Sequence, residues 1–274
     1  YMKKIGILFL GLISAFRFFF FLRFVYQVSM KTDSTAAPKI ENAYLDISTE
    51  KSIFYGEKRM KRDSTIRQAM ETRNFNFDRN SMEQFRTAIT YSIEKNHATK
   101  TISYKDRIAR DQYWYDEDRT FNWKILPETV KIGEYETQKA ETTFAGRKWF
   151  AWFTQDLPFI DGPYKFSGLP GLIVKVEDEK GDYSFDLKET KKIAELPYFE
   201  SRFGNNIKVK RSEFLKQQEK FNKDPMSFFQ NQGGGFAMRM GGNQNPQNEA
   251  ERRKMMEERL KEEAKANNNP LEKN

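Results

Sequence analysis

Along the first part of the chain, apolar and polar positions alternate in short runs. Arg23–Met30 puts apolar residues on one side and polar residues on the other, as a half-buried strand does. After the turn-rich stretch Lys31–Pro38 the pattern returns in Ala43–Thr49 and Lys51–Tyr55. It resumes downstream in Thr99–Tyr104, Asp111–Tyr115, Asn122–Ile125, Tyr135–Phe144, Arg147–Thr154, Leu172–Glu177 and Tyr183–Lys188. Ala145-Gly146 and the Asp178–Asp182 link, with Gly181, supply hairpin turns, and short links favour antiparallel pairing.

Helical spacing is rarer. Ser64–Glu71 reads as a helical turn. Ser81–Lys95 reads as a helix: Ser81 can cap it, Gln84 sits at the capping-box position, and Phe85, Ala88 and Ile89 share a face. Ser212–Asn222 is a third, ended by Pro225. Glu249–Ala266 is helical by composition, but its apolar stripe of Met256, Leu260 and Ala264 is thin. Between the last two lies a Gly/Asn/Gln-rich flexible linker, 226–248, followed by a charged helical tail, 249–274. The expected fold is mainly β (α+β): an antiparallel, strongly curved sheet or half-barrel over 23–225. A few peripheral helices and a polar C-terminal tail complete it.

The first 22 residues break the pattern. Lys3 and Lys4 precede the apolar run Ile5–Ile13, and Ser14-Ala15 offers small residues for cleavage. Segment 1–22 reads as a secretory signal peptide. The alternative is an uncleaved N-terminal anchor ending at Leu22, which would then be the chain's membrane contact. Export to the periplasm or outer membrane is the expectation. With no cysteine in the chain, lipoprotein acylation, disulfides and thiol chemistry are excluded. The single histidine, His97, rules out His-pair zinc motifs and is expected as a surface residue or helix C-cap. The net charge of +8 is spread without a basic cluster at motif spacing, so no nucleic-acid partner is implied. Four scattered methionines, Met238, Met240, Met255 and Met256, make a poor soft-metal set. No metal and no cofactor is implied.

Residues Gly168, Leu169, Pro170, Gly171, Leu172 and Ile173 read GLPGLI. Pro170 and Gly171 suit the central positions of a type II turn, so the hexapeptide is expected to be structural. The chain resembles the GLPGLI family of secreted Bacteroidetes-type proteins. Tyr135–Ala140, Phe144–Trp152, Gly162–Phe166, the hexapeptide and Asn268–Glu272 carry the resemblance, in the family's order. Thr137 departs from it, since many members have Cys there. The resemblance implies export, a mainly β fold and no agreed activity. It also implies an outer-membrane partner of the TonB-dependent receptor type.

Candidate ligand-binding residues are Arg147, Trp149, Trp152, Asp156 and Asp161. Arg147 can hold an anion, but such an arginine more often pairs internally, here with Asp156 or Asp161. Trp149 and Trp152 can stack on a sugar or peptide, though core packing is the commoner use. No catalytic residue is assigned. The expected function is that of a non-enzymatic binding or accessory module of the cell envelope. The alternatives are an exported hydrolase using Asp156 and Asp161, or a carrier of an apolar ligand.

Overall fold

A computed structural model describes residues 21–74, 84–197, 199, 204–230 and 246–273. The elements run β1 (Phe21–Met30), β2 (Lys39–Ile47), β3 (Lys51–Gly56), α1 (Glu57–Thr72), β4 (Ser92–Asn96), β5 (Thr101–Ile108) and β6 (Asp111–Asp116). There follow β7 (Lys124–Ile132), β8 (Tyr135–Phe144), β9 (Arg147–Thr154), β10 (Leu172–Asp178), β11 (Tyr183–Ile193) and β12 (Asn206–Lys208). The helices α2 (Arg211–Lys223), α3 (Pro225–Gln230) and α4 (Pro246–Lys265) come last.

These strands make one open sheet of 12, in the order β12-β6-β5-β4-β3-β2-β1-β11-β10-β9-β8-β7. Pairing is antiparallel except for β12 beside β6. Two hairpin meanders, β1–β6 and β7–β11, are joined where β1 pairs with β11. That join is long because the alternation in both strands is in phase: Val28 stands opposite Phe185 and Tyr26 opposite Leu187. Leu22 and Phe21 already belong to β1, so the strand starts inside the segment read as export signal. The rest of that segment, 1–20, lies outside the described residues, as does most of the 226–248 linker. Among the described residues no helix is long and apolar enough to cross a membrane.

The core lies on one face of the sheet. Phe24, Tyr26 and Val28 of β1, Leu45 of β2, Phe54 of β3, Trp149 and Phe153 of β9 and Phe185 of β11 are all buried there. The cover is the β9–β10 connection, 155–171, whose Tyr164, Phe166 and Leu169 pack into the same cluster. The phenol of Tyr26 in β1 donates to the Ile173 carbonyl of β10 at 2.7 Å, just past the end of that cover. A second, smaller cluster joins Ile108 and Tyr115 to Phe214 of α2.

Three expectations need correction. The stretch read as a helix over Ser81–Lys95 holds, among its described residues 84–95, an irregular lead-in and most of β4, while the expected cap Ser81 lies outside them. The Glu41 carboxylate accepts from the Thr87 hydroxyl at 2.5 Å and the Ala88 amide at 2.9 Å. The Ile89 amide donates to the Thr87 hydroxyl at 3.0 Å. Amides bound to side-chain acceptors are lost to a helical ladder. Secondly, α1 is much longer than Ser64–Glu71. Its surface is charged, and it is anchored by buried Arg59, which donates to the Thr90 carbonyl at 2.8 Å. Thirdly, the hexapeptide does not close a type II turn. The Gly171 amide donates back to the Leu169 carbonyl at 2.8 Å, a three-residue turn about Pro170, while Leu172 N–H donates to Leu157 O.

Glycine is nevertheless required at 171. Its φ is +151°, and a Cβ there would stand 2.0 Å from the Thr154 carbonyl oxygen. The close approach of β10 to the end of β9 therefore depends on the missing side chain. Gly171→Val is expected to destabilise the fold by more than about 1 kcal/mol. Urea unfolding measures this, and an unshifted midpoint would contradict the close approach.

Candidate functional site

Three groups of buried charges bear on the candidate residues. In the first, Arg147 opens β9 immediately after the Ala145-Gly146 turn and is almost fully buried. Its Nη1 donates to Asp178 at 2.8 Å and to Asp182 at 3.2 Å. Its Nη2 donates to the Asn269 side-chain oxygen at 2.7 Å and the Pro270 carbonyl at 2.8 Å. The Tyr183 ring lies beneath the guanidinium, at 4.7 Å. Arg147 is thus paired internally, but with the carboxylates of the β10–β11 turn and not with Asp156 or Asp161.

The second group surrounds Asp161. Lys95 of β4 puts its ammonium 2.6 Å from Asp161 Oδ1 and also donates to the carbonyls of Gly162 and Phe166. His97 Nε2 lies 3.4 Å from Asp161 Oδ2. With no helix ending at 97, His97 caps nothing; it sits in the β4–β5 turn and faces this carboxylate. Burial pushes the Asp161 carboxyl up, but Lys95 and His97 outweigh it and hold it below its ordinary value. The contact with Asp161 raises His97 above its own. Asp156, the other candidate carboxylate, is exposed.

The third group centres on Lys165, whose side chain has no exposed surface. Its ammonium lies 2.6 Å from Glu117 Oε2 and 2.6 Å from Glu272 Oε1, and 3.0 Å from the Tyr115 hydroxyl. The rings of Tyr104, Tyr115 and Tyr164 stand around it at 5.0, 5.1 and 5.4 Å. Arg119 bridges the two carboxylates, at 2.7 Å from each. Burial would raise the Glu117 carboxyl, yet Arg119 and Lys165 pull it down to about 2. Glu272 is lowered by Lys165 and Arg119 against the same burial.

The tryptophans divide between faces, as alternation requires. Trp149 is core, its indole N–H donating to the Phe144 carbonyl at 3.2 Å. Trp152 is half-buried on the opposite face with Phe150. Lys139 lies 4.6 Å from the Phe150 ring and 5.6 Å from that of Trp152, and Lys175 lies 5.0 Å from Trp152. Thr137 is buried and donates to the Val130 carbonyl of β7. Among the described residues no cluster of His, Asp and Glu suits a metal ion.

Lys95, His97, Lys165, Glu117 and Glu272 were not among the sequence candidates. Lys165 and Glu272 do lie in two of the quoted segments, Gly162–Phe166 and Asn268–Glu272. A lysine flanked by Tyr164 and Phe166 inside an apolar connection was the available signal.

A family described as "Protein of unknown function (Porph_ging)" matches residues 142–175, a stretch that contains the hexapeptide. No curated protein matches the chain. Among solved structures, PNGF-II in one crystal form is 16% identical, with a TM-score of 0.50, over 72% of this chain and 32% of that one. A second crystal form gives 17% identity, a TM-score of 0.49, and coverage of 72% and 33%. The chain thus spans about a third of the length of PNGF-II, and the likeness concerns the fold alone. A LolA superfamily protein, NE2245 from Nitrosomonas europaea, is 11% identical with a TM-score of 0.25, covering 65% of this chain and 87% of that one.

The depressed carboxylates give the fold a defined acid limb. Glu117 contributes stability that is present above its unfolded pKa of 4.5 and is lost as pH falls towards about 2. Glu117→Gln is expected to cost about 3 kcal/mol at neutral pH, because it leaves Lys165 buried beside one carboxylate fewer. The variant's stability should also fall less steeply below pH 4.5. Urea midpoints across that range decide it; identical acid limbs would remove Glu117 from the account. His97 works in the opposite sense. Its contribution is full below 6.5 and fades as pH rises through a higher folded pKa. The stability gap between wild type and His97→Gln should therefore close in alkali, and a constant gap would contradict the contact with Asp161.

Proposed function

We propose that the chain is a GLPGLI-family protein of the cell envelope, exported to the periplasm or outer membrane. In this reading it works as a non-enzymatic binding or accessory module. Its partner is an outer-membrane protein of the TonB-dependent receptor type. The hexapeptide Gly168–Ile173 and the segments quoted with it support the family reading. We further propose that the sheet is strongly curved, as a half-barrel. Phe54 of β3 and Phe185 of β11 are three strand spacings apart, roughly 14 Å in a flat sheet. Their ring centroids lie 6.1 Å apart, which favours curvature.

One observation carries the non-enzymatic reading: the Lys95–Asp161 pair. A buried carboxylate held ionised by an ammonium at 2.6 Å is neither a proton donor near neutral pH nor a free base. Asp156 is exposed and is not part of this buried pair. An apolar carrier is disfavoured because Phe159, Tyr164, Phe166 and Leu169 already pack on the core face. The surface left for a partner is the opposite face of β8–β10. There Phe150 and Trp152 lie under Lys139, Lys148 and Lys175. Aromatic rings with cations above them combine contact area with charge, as protein-binding surfaces do.

Affinity isolation from envelope fractions tests this. The wild-type chain should retain an outer-membrane protein, and Lys139→Ala with Trp152→Ala should release it without unfolding. Equal retention by both would discard this face. Asp156→Asn with Asp161→Asn tests the enzyme alternative. A folded double variant that loses turnover on an envelope polymer would overturn the non-enzymatic reading.

A further inference from the structure

Residues 267–273 return to the sheet after α4 and cross the ends of its hairpins. The side chains of Asn268, Asn269 and Glu272, and several backbone groups of the segment, are bound by separate parts of the fold. The Asn268 side-chain oxygen accepts from the Ser34 amide at 2.9 Å, and its NH2 donates to Asp33 at 3.1 Å. The Asn269 amide donates to the Thr32 carbonyl at 2.8 Å, and its side-chain NH2 to the Lys31 carbonyl at 2.7 Å. Its side-chain oxygen accepts from Arg147, and its carbonyl from the Tyr183 hydroxyl at 2.6 Å. Arg147 also donates to the carbonyls of Pro270 and Leu271, at 2.8 and 3.1 Å. Leu271 packs against the core. Glu272 accepts from Lys165, from Arg119 and from the Tyr164 hydroxyl. The Lys273 amide donates to the Ala145 carbonyl at 2.7 Å.

The segment bends at Asn268–Asn269 and again at Leu271–Glu272. Backbone groups fix its course and side-chain pockets select its sequence, as in a bound peptide. The charge balance points the same way. Around Glu272, two cations, Arg119 and Lys165, face the single carboxylate of Glu117. Lys165 is buried and Arg119 partly so, and one of their two positive charges is unmatched until the segment supplies its own carboxylate, so the groove favours an acidic occupant. Pro270 brings no amide hydrogen to satisfy and enters with φ already fixed, which lowers the ordering cost of the bound form.

We infer that the floor formed by Lys31–Ser34, Arg119, Ala145–Arg147, Tyr164, Lys165 and Tyr183 is a peptide-recognition site for a bent Asn-Asn-Pro-Leu-Glu segment. In this structure the chain's own residues 268–272 fill it, and the same segment of a second copy is its ligand in trans. The inference does not depend on the export reading or on the Lys139–Trp152 face.

The test uses the full chain and a fluorescent peptide of residues 267–273. Asn269→Ala with Glu272→Gln weakens the internal competitor. That variant should bind the peptide about tenfold or more tightly than wild type, since wild type exposes the groove only when its own segment lifts. A peptide carrying Glu272→Gln should bind the variant more weakly. A folded variant that binds no more tightly than wild type overturns the proposal. Should the variant not fold, hydrogen exchange on the wild-type chain decides. The amides of Asn269 and Lys273 should exchange faster than those of β1, and faster still with excess peptide. Exchange as slow as that of β1, unmoved by peptide, would show a fixed part of the fold and overturn the proposal.

Discussion

A fully buried ammonium must be neutralised where it lies, and much of this structure is arranged around that requirement at Lys165. The residue comes from the connection that covers the core face, so the cover cannot seat without a counter-charge. Glu117, just after β6, supplies one and Glu272, near the C-terminus, a second. Three separated parts of the chain therefore have to arrive together. The apolar contacts of Tyr164 and Phe166 drive the connection onto the sheet, and the ion cluster fixes which way it lies. Replacing one member leaves a charge in a place where water cannot solvate it, which is why such clusters tolerate single changes poorly.

Lys95 and Arg147 repeat the arrangement on smaller scales. Lys95 ties the same connection to β4 through Asp161 and two carbonyls, and Arg147 ties the C-terminal segment to the β10–β11 turn. Hydrophobic burial is non-directional and would accept several placements of a proline-rich connection. Each buried cation accepts only one. The glycine at 171 is a constraint of the same kind, since β10 approaches the Thr154 carbonyl more closely than any side chain permits.

The sequence was most legible where local pattern and tertiary environment agree. β8 and β9 begin and end where alternation and the Ala145-Gly146 turn put them, and β11 follows its Tyr183, Phe185, Leu187 register. The helix expected over 81–95 was not legible. The acceptor that draws the Ala88 amide away is Glu41, far back in the chain, and no local window contains it. β7 extends well past Ile125 for a related reason: as the outer edge strand it needs no apolar face, and Pro127 falls where its register with β8 shifts. The candidate charges followed the same division. Arg147 was recognised as a pairing residue, yet its carboxylates come from a turn that sequence spacing did not connect to it. Asp161 was recognised without its partners, because Lys95 and His97 fell inside or beside the misread helix.

The single histidine and the absent cysteine take on a sharper meaning in this light. A chain without thiols cannot staple its connection with a disulfide, and this one locks it with buried ion pairs. Such locks depend on pH, and the carboxylates and the histidine set opposite limits. Glu117, Glu272 and Asp161 must stay ionised, which sets a lower limit in acid. His97 strengthens the Asp161 pair only while protonated, which weakens that pair in alkali. The connection is thus held best at intermediate pH, where the carboxylates are charged and His97 is still largely protonated. The C-terminal segment shares this dependence through Glu272. Acid that neutralises Glu272 removes the segment's own charge from Arg119 and Lys165, and with it the ion pairs that hold the segment to the connection.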